Sequence, residues 1–235
     1  MSSVRDDRGY NQGFKPSKTV EVRTRRRSRY ILAEMDLSKP NEVLEIGCGL
    51  GELSALLAEH ANNHVLGTDL CVPFIEEARQ MYTLRNLEFQ VLDFTRPESL
   101  GPRRFDYIVG NGILHHLYHG LGAALRNLMD LLNEGGKILF LEPNLLNPYC
   151  YAIFTFPFLR RLARLEPAEM AFTKRFIERI LAESGFRDTK VEYRDFLVPI
   201  IPSSLILPTV LVGDVLEKIP MVRMMSQSLF IRGSK

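Results

Sequence analysis

The sequence predicts an α/β fold, a mostly parallel sheet with helices on both faces, and three observations predict it. Short β-branched or apolar runs alternate with helix-period segments from Val43 onward, as in a chain of βαβ units. A glycine-rich turn, Gly47-Cys48-Gly49-Leu50-Gly51, joins the first run to the first helical segment, as at a Rossmann-like nucleotide site. The chain has 235 residues and 46% hydrophobic content, enough to bury one such sheet.

Taken in order, residues 1–22 are polar and aperiodic and read as a flexible arm, and Arg23 to Met35 fits a helix. Strands are expected at Val43–Ile46, His64–Thr68, Leu87–Leu92, Phe105–Val109, Lys137–Leu141 and Val191–Tyr193. Between them, Glu52–Glu59, Val72–Tyr82, Leu121–Leu132 and Thr173–Ser184 carry apolar residues at helical spacing. Gly135-Gly136 and Gly185 supply helix stops. Residues 23–235 therefore read as one domain, with a core over 43–142.

A net charge of +2 gives no global bias toward nucleic acid, and no nucleic-acid partner is expected. Arg23, Arg25, Arg26, Arg27 and Arg29 form a basic cluster, read as a solvated helix face in preference to a contact with anionic headgroups or RNA. Cys48, Cys71 and Cys150 form no CxxC pair and no ligand spacing, so neither a disulfide framework nor a metal site is expected. Met1 to Tyr10 lack an apolar signal region, and the expected location is the cytoplasm.

The glycine turn lets a ligand approach the backbone closely. Its spacing is GxGxG, and Glu52 stands where a dinucleotide fingerprint places a third glycine. A carboxylate there would repel a pyrophosphate at the helix N-terminus. It suits S-adenosylmethionine, which has no phosphate and carries a sulfonium and an ammonium against one carboxylate. Asp69 ends the second strand, where a carboxylate can accept from both ribose hydroxyls. Asp93 can accept from an adenine amine, and Phe94 beside it can line the ring's pocket.

With these pieces the chain resembles the class I S-adenosylmethionine-dependent methyltransferases, in particular their small-molecule branch (type 11-like). The resemblance rests on LEIGCGLGEL at 44–53, GTDL at 67–70, LDF at 92–94, FDYIVGNGILHHL at 105–117 and LLNEGGKILFLEPN at 131–144. It implies a seven-stranded Rossmann-like sheet with one antiparallel strand near its edge, placed at Ser228–Arg232. It further implies that Gly47, Gly49 and Gly51 cradle the methionine part, that Glu45 contacts its ammonium, and that Asn111 lies beside it. Asp69 would hold the ribose, Leu70 would pack on the adenine and Asp93 would bond its amine, the product being S-adenosylhomocysteine. No NPPY or DPPY stretch follows the fourth strand, where Gly110-Asn111-Gly112-Ile113 stands, so an adenine or glutamine amine is not the expected acceptor.

Methyl transfer is an in-line displacement that depends mainly on alignment. For a hydroxyl acceptor a base helps, and His115 or His116, just after the fourth strand with His119 beyond, is the candidate. Two apolar stretches, Pro143 to Leu159 and Phe196 to Gly213, lie within regions of about 143–172 and 196–220 and contain prolines that break any membrane-length helix. They read as a lid over a hydrophobic or lipid-like acceptor, with a homodimer surface and a peripheral membrane contact as alternatives. Two other functions stay open: an NAD(P)-dependent reductase, which shares the glycine loop and the acidic strand end, and an inactive methyltransferase-like binding partner.

Overall fold

The computed structural model describes residues 16–94 and 100–235. Seven strands form one sheet: β1 (Asn41–Ile46), β2 (Asn63–Asp69), β3 (Leu87–Val91), β4 (Phe105–Asn111), β5 (Leu132–Pro143), β6 (Arg187–Arg194) and β7 (Ser228–Ser234). Their order is β3-β2-β1-β4-β5-β7-β6. The first five run parallel, and β7 inserts antiparallel between β5 and β6. Strand order reverses between β1 and β4, so a crevice opens at their carboxyl ends, where open α/β sheets bind ligands.

The helices are α1 (Lys18–Leu32), α2 (Glu52–Ala58), α3 (Val72–Met81), α4 (Leu121–Leu131), α5 (Pro148–Thr155), α6 (Pro157–Leu162), α7 (Lys174–Glu183), α8 (Ile206–Leu216) and α9 (Pro220–Arg223). A 3₁₀ helix, Leu114–Gly120, follows β4. Alternation along the strands divides the core between the two faces. Leu44, Ile46, Ile108 and Phe140 join Leu125, Leu128 of α4 and Ile177, Leu181 of α7. Val43, Val109, Leu139 and Leu141 join Ile31 of α1 and Leu53, Leu57 of α2.

Three expectations change. The helix expected at Arg23 begins at Lys18, because Ser17 caps it by accepting from the Val20 N–H at 3.2 Å; the remainder of the expected flexible arm, residues 1–15, lies outside the described residues. Arg23 and Arg27 are buried rather than solvated, since their guanidiniums donate to Gln227 at 2.8 and 2.7 Å and Arg27 also to Ser228. The fifth strand starts at Leu132, five residues early, and absorbs the expected stop at Gly135 through a register shift opposite Phe105 and Tyr107.

Four prolines in or beside the apolar stretches stand in first turns of helices. Pro148, Pro157 and Pro220 stand at the first turns of α5, α6 and α9, and Pro208 falls in the first turn of α8, where a missing N–H costs no intrahelical bond. Among the described residues, no helix is long and apolar enough to cross a membrane.

Phe140 is fully buried at the centre of the larger apolar cluster. Phe140→Ala is expected to lower the unfolding free energy by about 3–5 kcal/mol, read from urea denaturation.

Candidate functional site

The turn after β1 winds through three left-handed glycines, Gly47 (φ 66°), Gly49 (φ 53°) and Gly51 (φ 80°). Close packing excludes a side chain at two of them: a Cβ on Gly47 would stand 2.6 Å from Ile113, and one on Gly51 2.5 Å from the Phe89 ring. Gly49 has open space beside it. Three of the turn's N–H groups are engaged within the fold. Cys48 donates to Thr68 O at 2.9 Å and Gly51 to Cys48 O at 2.9 Å, while Gly49 donates to Asp69 Oδ2 at 2.9 Å.

Asp69 closes β2 and accepts from the Cys71 N–H at 2.8 Å with its other oxygen. It therefore ties the two strand-end loops together. Glu45, one strand over, is buried and accepts from the Ser54 hydroxyl of α2. Burial pushes its carboxyl up to about 7, against the pull of that hydroxyl.

A cavity of about 610 Å³ opens over the turn, and Glu45, Gly47, Gly49, Asp69, Asn111 and His116 line it. Six carboxylates in its wall, Glu21, Glu45, Glu52, Glu59, Asp69 and Glu77, face two cations, Lys18 and Arg25. That balance favours a cationic ligand. The far wall is α1, with Val20, Glu21, Thr24 and Arg25. No residue of the expected lid, 143–172 and 196–220, lines this cavity.

Other expected site residues sit differently. Asn111 accepts from the buried guanidinium of Arg27. Leu70 is 40% exposed beside Asp69, and Asp93 is half-buried beyond β3; neither lines the cavity. Phe94, expected at an adenine pocket, is buried in the main core with Leu92 and Leu100. Its ring is taken by that apolar cluster and is not available to a ligand.

The histidines are supported from below by Glu142, at the end of β5 and wholly buried. Its oxygens accept from the Ile113, Leu114 and His115 N–H groups at 2.9, 2.8 and 3.2 Å, and from His115 Nδ1 at 2.9 Å. The His116 ring lies 4.3 Å from that of His115. Burial and the neighbouring His115 hold His116 below the usual imidazole range, so its ring is neutral at neutral pH. Glu166 and Glu169 approach it from the segment after α6. The sequence reading placed a helix at Arg23 but not its role as a cavity wall, and it missed Glu142, Glu166 and Glu169; only the four-residue spacing of Arg23, Arg27 and Ile31 marked a buried helix face.

Residues 44–138 match the family of methyltransferase domains. They form a class I S-adenosylmethionine-dependent methyltransferase domain. Aklanonic acid methyltransferase of Streptomyces sp. (strain C5) is 35% identical over 133 residues, which cover 53% of this chain and 57% of that protein. Phosphoethanolamine N-methyltransferase 1 of Triticum aestivum is 29% identical over 138 residues, covering 58% of this chain and 26% of that protein. The chain thus spans about half the length of the first relative and about a quarter of the second. A solved SAM-dependent methyltransferase from Archaeoglobus fulgidus shares the fold, with a TM-score of 0.65 at 20% identity over 92% of this chain and 94% of that one.

Glu45 sets a pH dependence on the methyltransferase fold. Its folded pKa is raised, so its contribution to stability is greatest in acid and is lost as pH rises through about 7. In urea denaturation of the ligand-free protein, wild type is expected to lose about 2 kcal/mol more than Glu45→Gln between about pH 5 and about pH 8.

Proposed function

We propose that the protein transfers the methyl group of S-adenosylmethionine to oxygen or carbon of a small, largely apolar acceptor held beside His116. The observation that carries this reading is the acid-rich cavity over the glycine turn. Such a site suits a sulfonium and an ammonium and disfavours a diphosphate, which also argues against a nicotinamide-dependent reductase. The relative named for aklanonic acid supports a small-molecule acceptor.

When bound, S-adenosylmethionine supplies an electrophilic methyl group on sulfur. In this reading Gly47, Gly49 and Gly51 leave room for its methionine part, and Glu45 pairs with the ammonium. Asn111, steadied by Arg27, bonds beside it. Asp69, in the cavity wall, accepts from the ribose hydroxyls. His116 faces the acceptor, and its neutral ring can take a proton from a hydroxyl. His115 is the positioning residue behind it, fixed by Glu142. Three buried thiols suit a reducing cytoplasm.

A second observation bears on the acceptor. Phe158, Leu162, Leu207, Leu211, Val215 and Met221 of α6, α8 and α9 are exposed, an unusual cost for solvated helices. These helices support an acceptor with a hydrophobic tail, or one delivered from a lipid surface, in place of a lid over the cofactor.

Calorimetry with S-adenosylhomocysteine tests the reading. Binding is expected to strengthen as pH rises through about 7, because pairing with the ammonium requires the ionised Glu45. Glu45→Gln should bind at least about tenfold more weakly and lose that pH dependence. Absence of binding, or a preference for NADH, would overturn the assignment. His116→Gln should keep S-adenosylhomocysteine binding and lower turnover by about 10²-fold or more; undiminished turnover removes His116 from the acceptor site.

A further inference from the structure

The two histidines and the segment after α6 build a cluster that proton transfer alone does not explain. His116 Nδ1 stands 3.4 Å from Glu169 Oε1 and 3.5 Å from Glu166 Oε2, and His115 Nε2 stands 3.8 Å from Glu169 Oε2. These separations are long for hydrogen bonds. They approach the edge of a tetrahedron about a metal ion, which is roughly 3.3 Å for bonds of about 2.0–2.1 Å. The ligand atoms of His115, His116 and Glu169 all lie within 4.8 Å of one another, a spread that modest side-chain rotations close.

The support around these atoms is of the kind that surrounds a metal centre. Metal-binding histidines commonly give their second ring nitrogen to a carboxylate, which fixes the ring and its tautomer. His115 Nδ1 is 2.9 Å from Glu142 Oε2. Glu142 already accepts three backbone N–H groups, so it acts as an acceptor and His115 Nδ1 as the donor. The lone pair of His115 is then on Nε2, the nitrogen nearer Glu169.

The opposing wall is equally fixed. Arg160 donates to the carbonyls of Phe154, Glu166 and Glu169 at 2.9, 2.8 and 3.0 Å. The Glu166 N–H donates to Glu169 Oε1 at 3.0 Å, and the Met170 N–H to the His115 carbonyl at 3.2 Å. The His115 ring and the Glu169 carboxylate are thus held from opposite sides by bonds other than those between them.

We propose that His115, His116 and Glu169 bind one divalent transition-metal ion of zinc-like preference, with Glu166 beside them. Two imidazole nitrogens and one carboxylate suit zinc or cobalt and disfavour magnesium and calcium. His116 also lines the cofactor cavity, which places an open coordination position toward the acceptor, whose oxygen would be a further ligand. In the ion-bound state the rings act on the acceptor through the ion rather than as bases. This role rests on the methyltransferase reading, whereas ion binding itself does not.

The test uses the full chain stripped by a chelator and titrated with Co²⁺, followed by visible absorption, and with Zn²⁺, followed by calorimetry. One ion per chain is expected, with a Kd of about 1 µM or below and the visible bands of a low-coordinate cobalt site. Glu169→Gln and His116→Gln should each weaken binding at least about 100-fold, and Glu142→Gln about 10–100-fold. His64→Gln, a change at an exposed histidine on β2, should leave it unchanged. Retained binding of S-adenosylhomocysteine, or an unchanged thermal melt, shows that each variant folds. Substoichiometric binding, binding indifferent to Glu169→Gln and His116→Gln, or binding lost in His64→Gln overturns the proposal. If the ion binds as expected while S-adenosylhomocysteine does not, the metal site stands and the methyltransferase reading falls.

Discussion

Glu142 is the constraint on which the site depends. A carboxylate with no exposure to water is costly unless its lone pairs are filled, and here three successive N–H groups and one imidazole fill them. The consequence runs in two directions. Pinning His115 fixes the histidine pair, and pinning Ile113 sets the side chain that packs on Gly47. The floor of the cofactor cavity and the face presented to an acceptor therefore share one anchor at the end of β5.

Asp69 has the same role on the opposite side of the crevice. Its two oxygens hold Gly49 and Cys71, so the glycine turn and the start of α3 cannot shift independently. Both anchors are carboxylates at strand ends that accept from backbone, and both act where the strand order reverses. The sheet supplies the positions, and the buried acids convert them into a rigid rim.

Much of this was legible in the sequence because it is carried by local pattern. The parallel strands announce themselves as short apolar runs, and the glycine turn as a fixed spacing between strand and helix. Even the antiparallel β7 followed from the resemblance. The readings that needed revision depend on partners remote in sequence. Arg23 and Arg27 look like solvent-facing charges until Gln227 and Ser228 receive them. Phe94 looks like a ligand-facing aromatic until the core claims it. Glu166 and Glu169 meet His116 only across the fold, so no ligand spacing could signal them. The apolar stretches showed composition without address, and they frame the outside of α6 and α8 rather than the cofactor cavity.

The wall formed by α1 depends on the far end of the chain. Its inward face is largely polar, and its buried arginines wait for acceptors some two hundred positions later in the chain. Its apolar contact with β1 and α2 is local in sequence, but its buried charges are satisfied only when the segment carrying Gln227 and Ser228 is in place. One wall of the ligand chamber is thereby tied to the opposite edge of the chain, so that disturbing Gln227 would loosen a surface it does not itself touch.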